Sequence, residues 1–217
     1  MAAGFVDGAA GADGAAEQRI FGVAVAQVID NVDVTGGARV QLRLPWMPGF
    51  EPWARVAAVF AGNDRGAFFI PQAGDEVLVA FNHGDVRDPY VLGGLWNGQD
   101  APPAKGPTDA IGKRIIRTPK GHEIELDDLA QSVTVKTSTG QQIKLEPEKV
   151  ELQTKGGSAK VTLETSGAVK LTANASLELK APSIKLDGTT LDLKGSGSAT
   201  LDGGGACTVK AGVVKIN

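Results

Sequence analysis

From Arg19 to Trp96 short apolar runs alternate with clusters of Gly, Pro, Asn and Asp, and no stretch keeps the 3.6-residue period of an amphipathic helix. "ARVQLRLPW" shows the pattern most plainly. Arg39, Gln41 and Arg43 alternate with Val40, Leu42 and Leu44, which predicts a strand turning the second set inward and ending at Pro45, where a ladder donor is missing. "RIFGVAVAQVID", "WARVAAVF", "GAFFI", "DEVLVAF" and "PYVLGGLW" give five further strands, separated by "NVDVTGG", "AGNDRG", "PQAG" and "NHGDVRD". Six short strands with turn residues between them predict a small closed β-barrel.

"GQDAPPAKGPTDAIG" is a Pro/Gly-rich connector that marks a domain boundary. "KRIIRTPKGHEIELDDLAQSVTVKTSTGQQIKLEPEKVELQTK" then reads as short irregular strands. From Val161 the pattern becomes periodic: VTLETSGA, VKLTANAS, LELKAPS, IKLDGTT, LDLKGSGS, ATLDGGGA, CTVKAGV, VKIN. Each unit opens apolar-polar-apolar-polar and closes on small or turn residues, so units recur at seven or eight residues. A single chain winding a closed three-faced coil uses roughly eighteen residues per turn. One unit therefore supplies about one face, and three chains wound on a common axis supply three.

That arrangement turns Val161, Leu163, Val169, Leu171, Leu177, Leu179, Ile184, Leu186, Leu191, Leu193, Leu201, Cys207 and Val209 toward the trimer core. Lys136, Lys170, Lys180, Lys185 and Lys194 face outward and keep the shaft solvated. The expected fold class is all-β, with an N-terminal barrel followed by a trimeric intertwined β-helix. Its parts are a flexible arm over 1–17, a base domain over 18–100, a linker over 101–112, and a shaft with its tip over 113–217.

Composition sharpens the division. With 42% hydrophobic and 22% charged residues the chain is not intrinsically disordered, yet every aromatic lies at or before Trp96. Residues 1–112 carry seven Lys and Arg against thirteen Asp and Glu, and residues 113–217 carry fifteen against twelve. Neither half has the basic excess of a nucleic-acid binder, so no nucleic acid is expected. The single Cys207 cannot form an intrachain disulfide. "MAAGFVDGAAGADGAAEQ" holds three acidic and no basic residues, unlike a signal peptide, which predicts synthesis and assembly in the cytoplasm.

"RVQLRLPW", "WARVAAVFAGNDRGAFFIPQAGDEVLVAFNHGD" and "PYVLGGLWNG", within residues 18–100, resemble the OB-fold domain of the phage baseplate assembly protein V and VgrG spike family. The resemblance implies a trimeric spike of a contractile tail or injection system, in a virion or an extracellular or cytoplasmic device. It also implies a puncturing role against a target-cell envelope, with no catalytic residue and no cofactor or metal. About 18 residues precede the barrel, so the large hub domain of VgrG is expected as a separate baseplate hub protein.

Other chemistry reads as structural. Gly74-Asp75-Glu76 is a turn entering a strand rather than a catalytic carboxylate pair. His83, Asp85 and Asp88 form a polar loop, His122 is a lone surface histidine, and Trp46, Trp53 and Trp96 serve core or interdomain packing. "GSGSATLDGGGA" lacks the Gly-Lys-Ser/Thr ending of a phosphate loop. The repeat ends in mid-pattern at "VVKIN", and by resemblance Val213, Val214, Lys215, Ile216 and Asn217 would bind a small PAAR-repeat tip protein. A trimeric adhesin or glycan-binding tail protein is the alternative, and a wall-degrading enzyme a more distant one.

Overall fold

A computed structural model of the chain describes residues 19–216. The expected arm, residues 1–17, and Asn217 of the expected tip lie outside the described residues. The fold is nearly all β, and its one α-helix among the described residues is a single turn, α1 (Asp109–Gly112).

The N-terminal strands are β1 (Val23–Asp30), β2 (Arg39–Arg43), β3 (Trp53–Val56), β4 (Ala61–Gly62), β5 (Arg65–Gly66), β6 (Glu76–Asn82) and β7 (Asp85–Gly94). Five of them close a barrel in the order β1-β2-β3-β7-β6. All neighbours are antiparallel except β3 and β7, which pair in parallel at Arg55↔Tyr90 and Val56↔Val91. Alternation fills the interior: Val40, Leu42 and Leu44 are fully buried beside Val28, Val77, Val79 and Val91, while Arg39, Gln41 and Arg43 point away. The β6–β7 hairpin turns on His83 and Gly84, both at positive φ (47° and 81°), a two-residue turn whose twist matches its strands.

Two expectations for this domain are corrected. "GAFFI" is not a barrel strand: only Arg65 and Gly66 pair, with Ala61 and Gly62, so the barrel has five strands and not six. β3 stops at Val56, and the chain leaves the barrel until Glu76, which puts Phe68 and Phe69 on the surface. None of the three tryptophans belongs to the barrel core, the first half of the expected core or interdomain packing, while Trp96 lines a cleft with Ile115 and Ile116 of the C-terminal sheet. Trp46 and Trp96 are exposed, and Trp53 lies under the Arg39 guanidinium, 5.7 Å from its ring centroid. The core closes with aliphatic side chains because a five-stranded barrel of this size has room for little more; Phe81 is the one aromatic among its buried members. Arg39 itself is fixed by Asp33, whose carboxylate accepts from Arg39 Nε at 2.9 Å and from the Thr35 hydroxyl at 2.7 Å.

Residues 113–173 form a second sheet: β8 (Lys113–Arg117), β9 (Glu123–Asp127), β10 (Ser132–Lys136), β11 (Gln142–Glu146), β12 (Lys149–Gln153), β13 (Ala159–Glu164) and β14 (Val169–Ala173). Each strand pairs antiparallel with the next, a meander of seven strands whose starts recur every seven to ten residues. Three hairpins share one turn. In Thr118–His122, Thr137–Gln141 and Glu164–Ala168 the first residue's N–H donates to the last residue's carbonyl at 2.9 Å, and Gly121, Gly140 or Gly167 sits at positive φ. This is the three-residue loop in which a type I turn is followed by a left-handed glycine.

The meander differs from the periodic picture in one respect. The first two of the eight units, Val161–Ala168 and Val169–Ser176, are not separate faces but the neighbouring strands β13 and β14 of one sheet. Residues 113–153, which look irregular in the sequence, supply five further strands of the same sheet. After Ala173 the described chain runs irregularly, with bends and one turn at Gly203–Ala206, and forms no strand pairing with itself.

Leu42→Ala removes a fully buried side chain from the closed barrel and is expected to cost about 2 to 5 kcal/mol. Thermal unfolding followed by tryptophan fluorescence should show the loss, since all three tryptophans lie at or before Trp96. An unchanged midpoint would contradict the barrel packing.

Candidate functional site: the apolar face of the C-terminal sheet

Cross-strand register lines up the apolar residues of the meander in two rows on one face. The first runs Ile116–Ile124–Val135–Ile143–Leu152–Val161–Leu171, each directly opposite the next. The second runs Arg114–Leu126–Val133–Leu145–Val150–Leu163–Val169. Every strand thus presents two inward positions, spaced by the two-residue period of a pleated strand. Among the described residues nothing covers this face: Ile116, Ile124, Leu126, Val135, Ile143, Leu145, Leu152, Leu163, Val169 and Leu171 remain 41% to 65% exposed. An apolar surface of that extent marks an interaction site, because burying each such side chain is worth about 1.5 to 3 kcal/mol.

The opposite face carries a ladder of ion pairs. Lys113 Nζ lies 3.5 Å from Glu125, Arg117 pairs with Glu123, and Lys144 Nζ lies 2.6 Å from Glu146. Lys149 and Lys160 reach Glu151 at 3.1 and 2.6 Å, and Lys170 reaches Glu164 at 2.5 Å. Most of these pairs are half-exposed and individually worth little. Glu151 is the exception, being nearly buried under its two lysines beside the buried Thr162. Lys160 and then Lys149 hold the Glu151 carboxyl below its ordinary value of 4.5, Lys144 does the same for Glu146, and Lys170 for Glu164. The ladder can stay in water, so it leaves the apolar face as the one to be buried.

Of the residues expected to line a trimer core, Val161, Leu163, Val169 and Leu171 stand in these rows. Leu177, Leu179, Ile184, Leu186, Leu191, Leu193, Leu201 and Val209 lie in the segment after Ala173 and are 53% to 78% exposed. Cys207 is exposed there too, as are Val213, Val214, Lys215 and Ile216. The members of the two rows from Ile116 to Leu152 escaped the sequence reading. Their signal was the repeated turn of "TPKGH", "TSTGQ" and "ETSGA" between alternating segments.

Four further groups that the sequence singles out are engaged locally. Asp85 accepts from Arg87 at 2.8 and 2.9 Å, which brings its carboxyl down to about 2, and Asp88 accepts from the Asn82 amide at 2.8 Å. Asp75 closes the turn into β6 by accepting from the Gln72 N–H at 2.8 Å, with Gly74 at φ 103°. His122 Nδ1 faces the Ser138 N–H at 3.4 Å across two turns.

Leu171→Asp places a carboxylate in the apolar row and should cost several kcal/mol once that face is buried, whereas Lys185→Asp, at a polar position of its unit, should cost little. Sedimentation of the two variants checks this, and equal loss of assembly would refute the register. Acid should also loosen the sheet. Carboxyls whose folded pKa is depressed contribute stability that is complete above about 4.5 and is lost as pH falls through their folded values. The thermal midpoint should therefore fall below about pH 4.5, and Lys160→Gln should flatten that slope; a midpoint unchanged to pH 3 contradicts the ladder.

Comparison with known proteins accounts for both domains. Residues 24–96 match the family model of the type VI secretion system/phage-baseplate injector OB domain. Residues 113–217 match that of the phage baseplate V C-terminal trimerisation domain. The chain is 28% identical over 130 residues to the type VI secretion system spike protein VgrG2a of Pseudomonas aeruginosa, covering 54% of this chain and 15% of that protein. It is 30% identical over 103 residues to VgrG1b of the same species, covering 43% and 14%. It is 33% identical over 86 residues to VgrG3 of Vibrio cholerae, covering 37% and 8%. The matched stretches thus span a small part of these curated relatives. With its barrel and its sheet both matched, the chain belongs to the baseplate V and VgrG-like spike family.

Proposed function

We propose that this protein is a homotrimeric central spike of a contractile phage tail or contractile injection system. Its barrels form the base, and its C-terminal halves form a shaft that punctures an envelope. The observation that carries this reading is the pair of apolar rows left uncovered by a single chain. Three such sheets facing one axis bury all three faces at once and leave three ion-pair ladders outside. The match to a trimerisation domain over the same residues supports that number.

The work is mechanical. Within each sheet, neighbouring strands are joined by backbone hydrogen bonds and tight turns, and beyond Ala173 the extended segments pair between chains. Intertwining of that kind resists unravelling under load, because no chain can leave without the others. No catalytic residue or cofactor has a part in the mechanism.

The barrels would attach to a separate baseplate hub protein, using the head's exposed apolar groups such as Phe21, Val34 and Trp46. At the other end Val213, Val214, Lys215, Ile216 and Asn217 would hold a PAAR-repeat tip protein, to which the exposed Val213, Val214 and Ile216 offer apolar contact. Assembly would take place in the cytoplasm, before the particle meets a target-cell envelope. Among the described residues no helix is long and apolar enough to cross a membrane.

Light scattering tests the core of this reading. Three chains of 22.3 kDa give about 67 kDa, and a stable monomer overturns the spike. Deleting residues 207–217 should then abolish binding of the tip protein while the trimer stays assembled. Undiminished binding would place the tip contact elsewhere.

A further inference from the structure

The apolar rows begin at β8, so any core they build opens toward the head at that strand. The second row starts with Arg114, whose guanidinium turns back to donate to the Ile111 and Lys113 carbonyls at 3.2 and 2.7 Å. The first row starts with Ile116, which is half-exposed. β8 itself therefore supplies a single large apolar side chain in the two rows at the end where a dry core meets water.

The missing apolar surface lies in the excursion between β3 and β6. Phe68 and Phe69 are 77% and 68% exposed, and Val59 and Phe60 stand out beside them; of their neighbours, Ile70 alone leans on the barrel core. Phe68 and Phe69 share with Ile116 and Pro119 an open cleft of about 760 Å³, and Phe69, Trp96 and Ile116 line a second one of about 840 Å³. The aromatic pair is thus continuous with the head end of the apolar row. Any threefold assembly that brings three Ile116 side chains toward one axis carries three such pairs to the same place.

We infer that Phe68 and Phe69 from three copies of the chain meet at the head end of the shaft and close its apolar core, so that the trimer contact extends into the barrels. The occupant of this patch is a second copy rather than the hub, because the patch adjoins the surface that the trimer already buries. The inference rests on the trimeric reading.

The test uses full-length protein with p-benzoyl-phenylalanine in place of Phe69, purified without any hub. Its mass is measured first, and irradiation follows. A trimer that yields covalent chain-to-chain products mapping to residues 57–72 or 111–119 of a second copy is the expected result. A trimer that cross-links only within one chain, or not at all, overturns this inference and leaves the spike intact. A monomer overturns both. In parallel, Phe68→Ser with Phe69→Ser should speed subunit exchange between tagged and untagged trimers by about tenfold or more. Exchange at the original rate also overturns the inference.

Discussion

One constraint governs the C-terminal half of this molecule: its sheet has an apolar face that none of the described residues covers. A barrel solves the same problem alone, because strands that close on themselves turn one face inward, as Val40, Leu42, Val77 and Val79 do. The seven-stranded meander does not close. Its rows from Ile116 to Leu171 lie open, and a sheet of one layer has no second layer to pack on. Everything else about the shaft depends on that missing cover, from the need for further copies to the polar coat on the reverse side.

The polar coat decides which face is hidden. Lys113, Lys144, Lys149, Lys160 and Lys170 each find a carboxylate across or along the strands, so most charges on that face are paired. Such pairs add little stability in water and would be costly to bury, which makes the orientation of the sheet one-sided. The same coat guards the outside of a long β-structure against sticking to others of its kind. Head and shaft therefore use opposite devices for solubility: closure in one, and charge on the free face in the other.

The transition near Ala173 divides the second half again. Upstream, loops such as "TPKGH" and "TSTGQ" hold adjacent strands in hairpins, so pairing is satisfied within the chain. Downstream, units of seven or eight residues with Gly, Ser and Thr at their ends carry no such hairpin, and the described residues form no strand there. Within the chain, the hairpin sheet thus satisfies its own backbone pairing, whereas the segment beyond Ala173 does not.

The sequence by itself determined the period of two, and with it which side chains share a face. Leu42 lies inward and Arg43 outward for the same local reason that sets Leu163 apart from Thr162. It also carried the turn glycines and the resemblance of the head to a spike base. Pairing was decided only in three dimensions. Alternation says that a strand has two faces but not which strand lies beside it, so residues 113–153 looked irregular until their register aligned Ile116, Ile124 and Val135 in one row. "GAFFI" has the composition of a strand yet lies outside the barrel, because five strands already close the ring and its backbone finds no free edge there. The tryptophans stay out of the barrel core for a related reason. A large aromatic is apolar in any sequence, but whether it enters a core depends on the volume the barrel leaves, and this barrel is filled by Val and Leu.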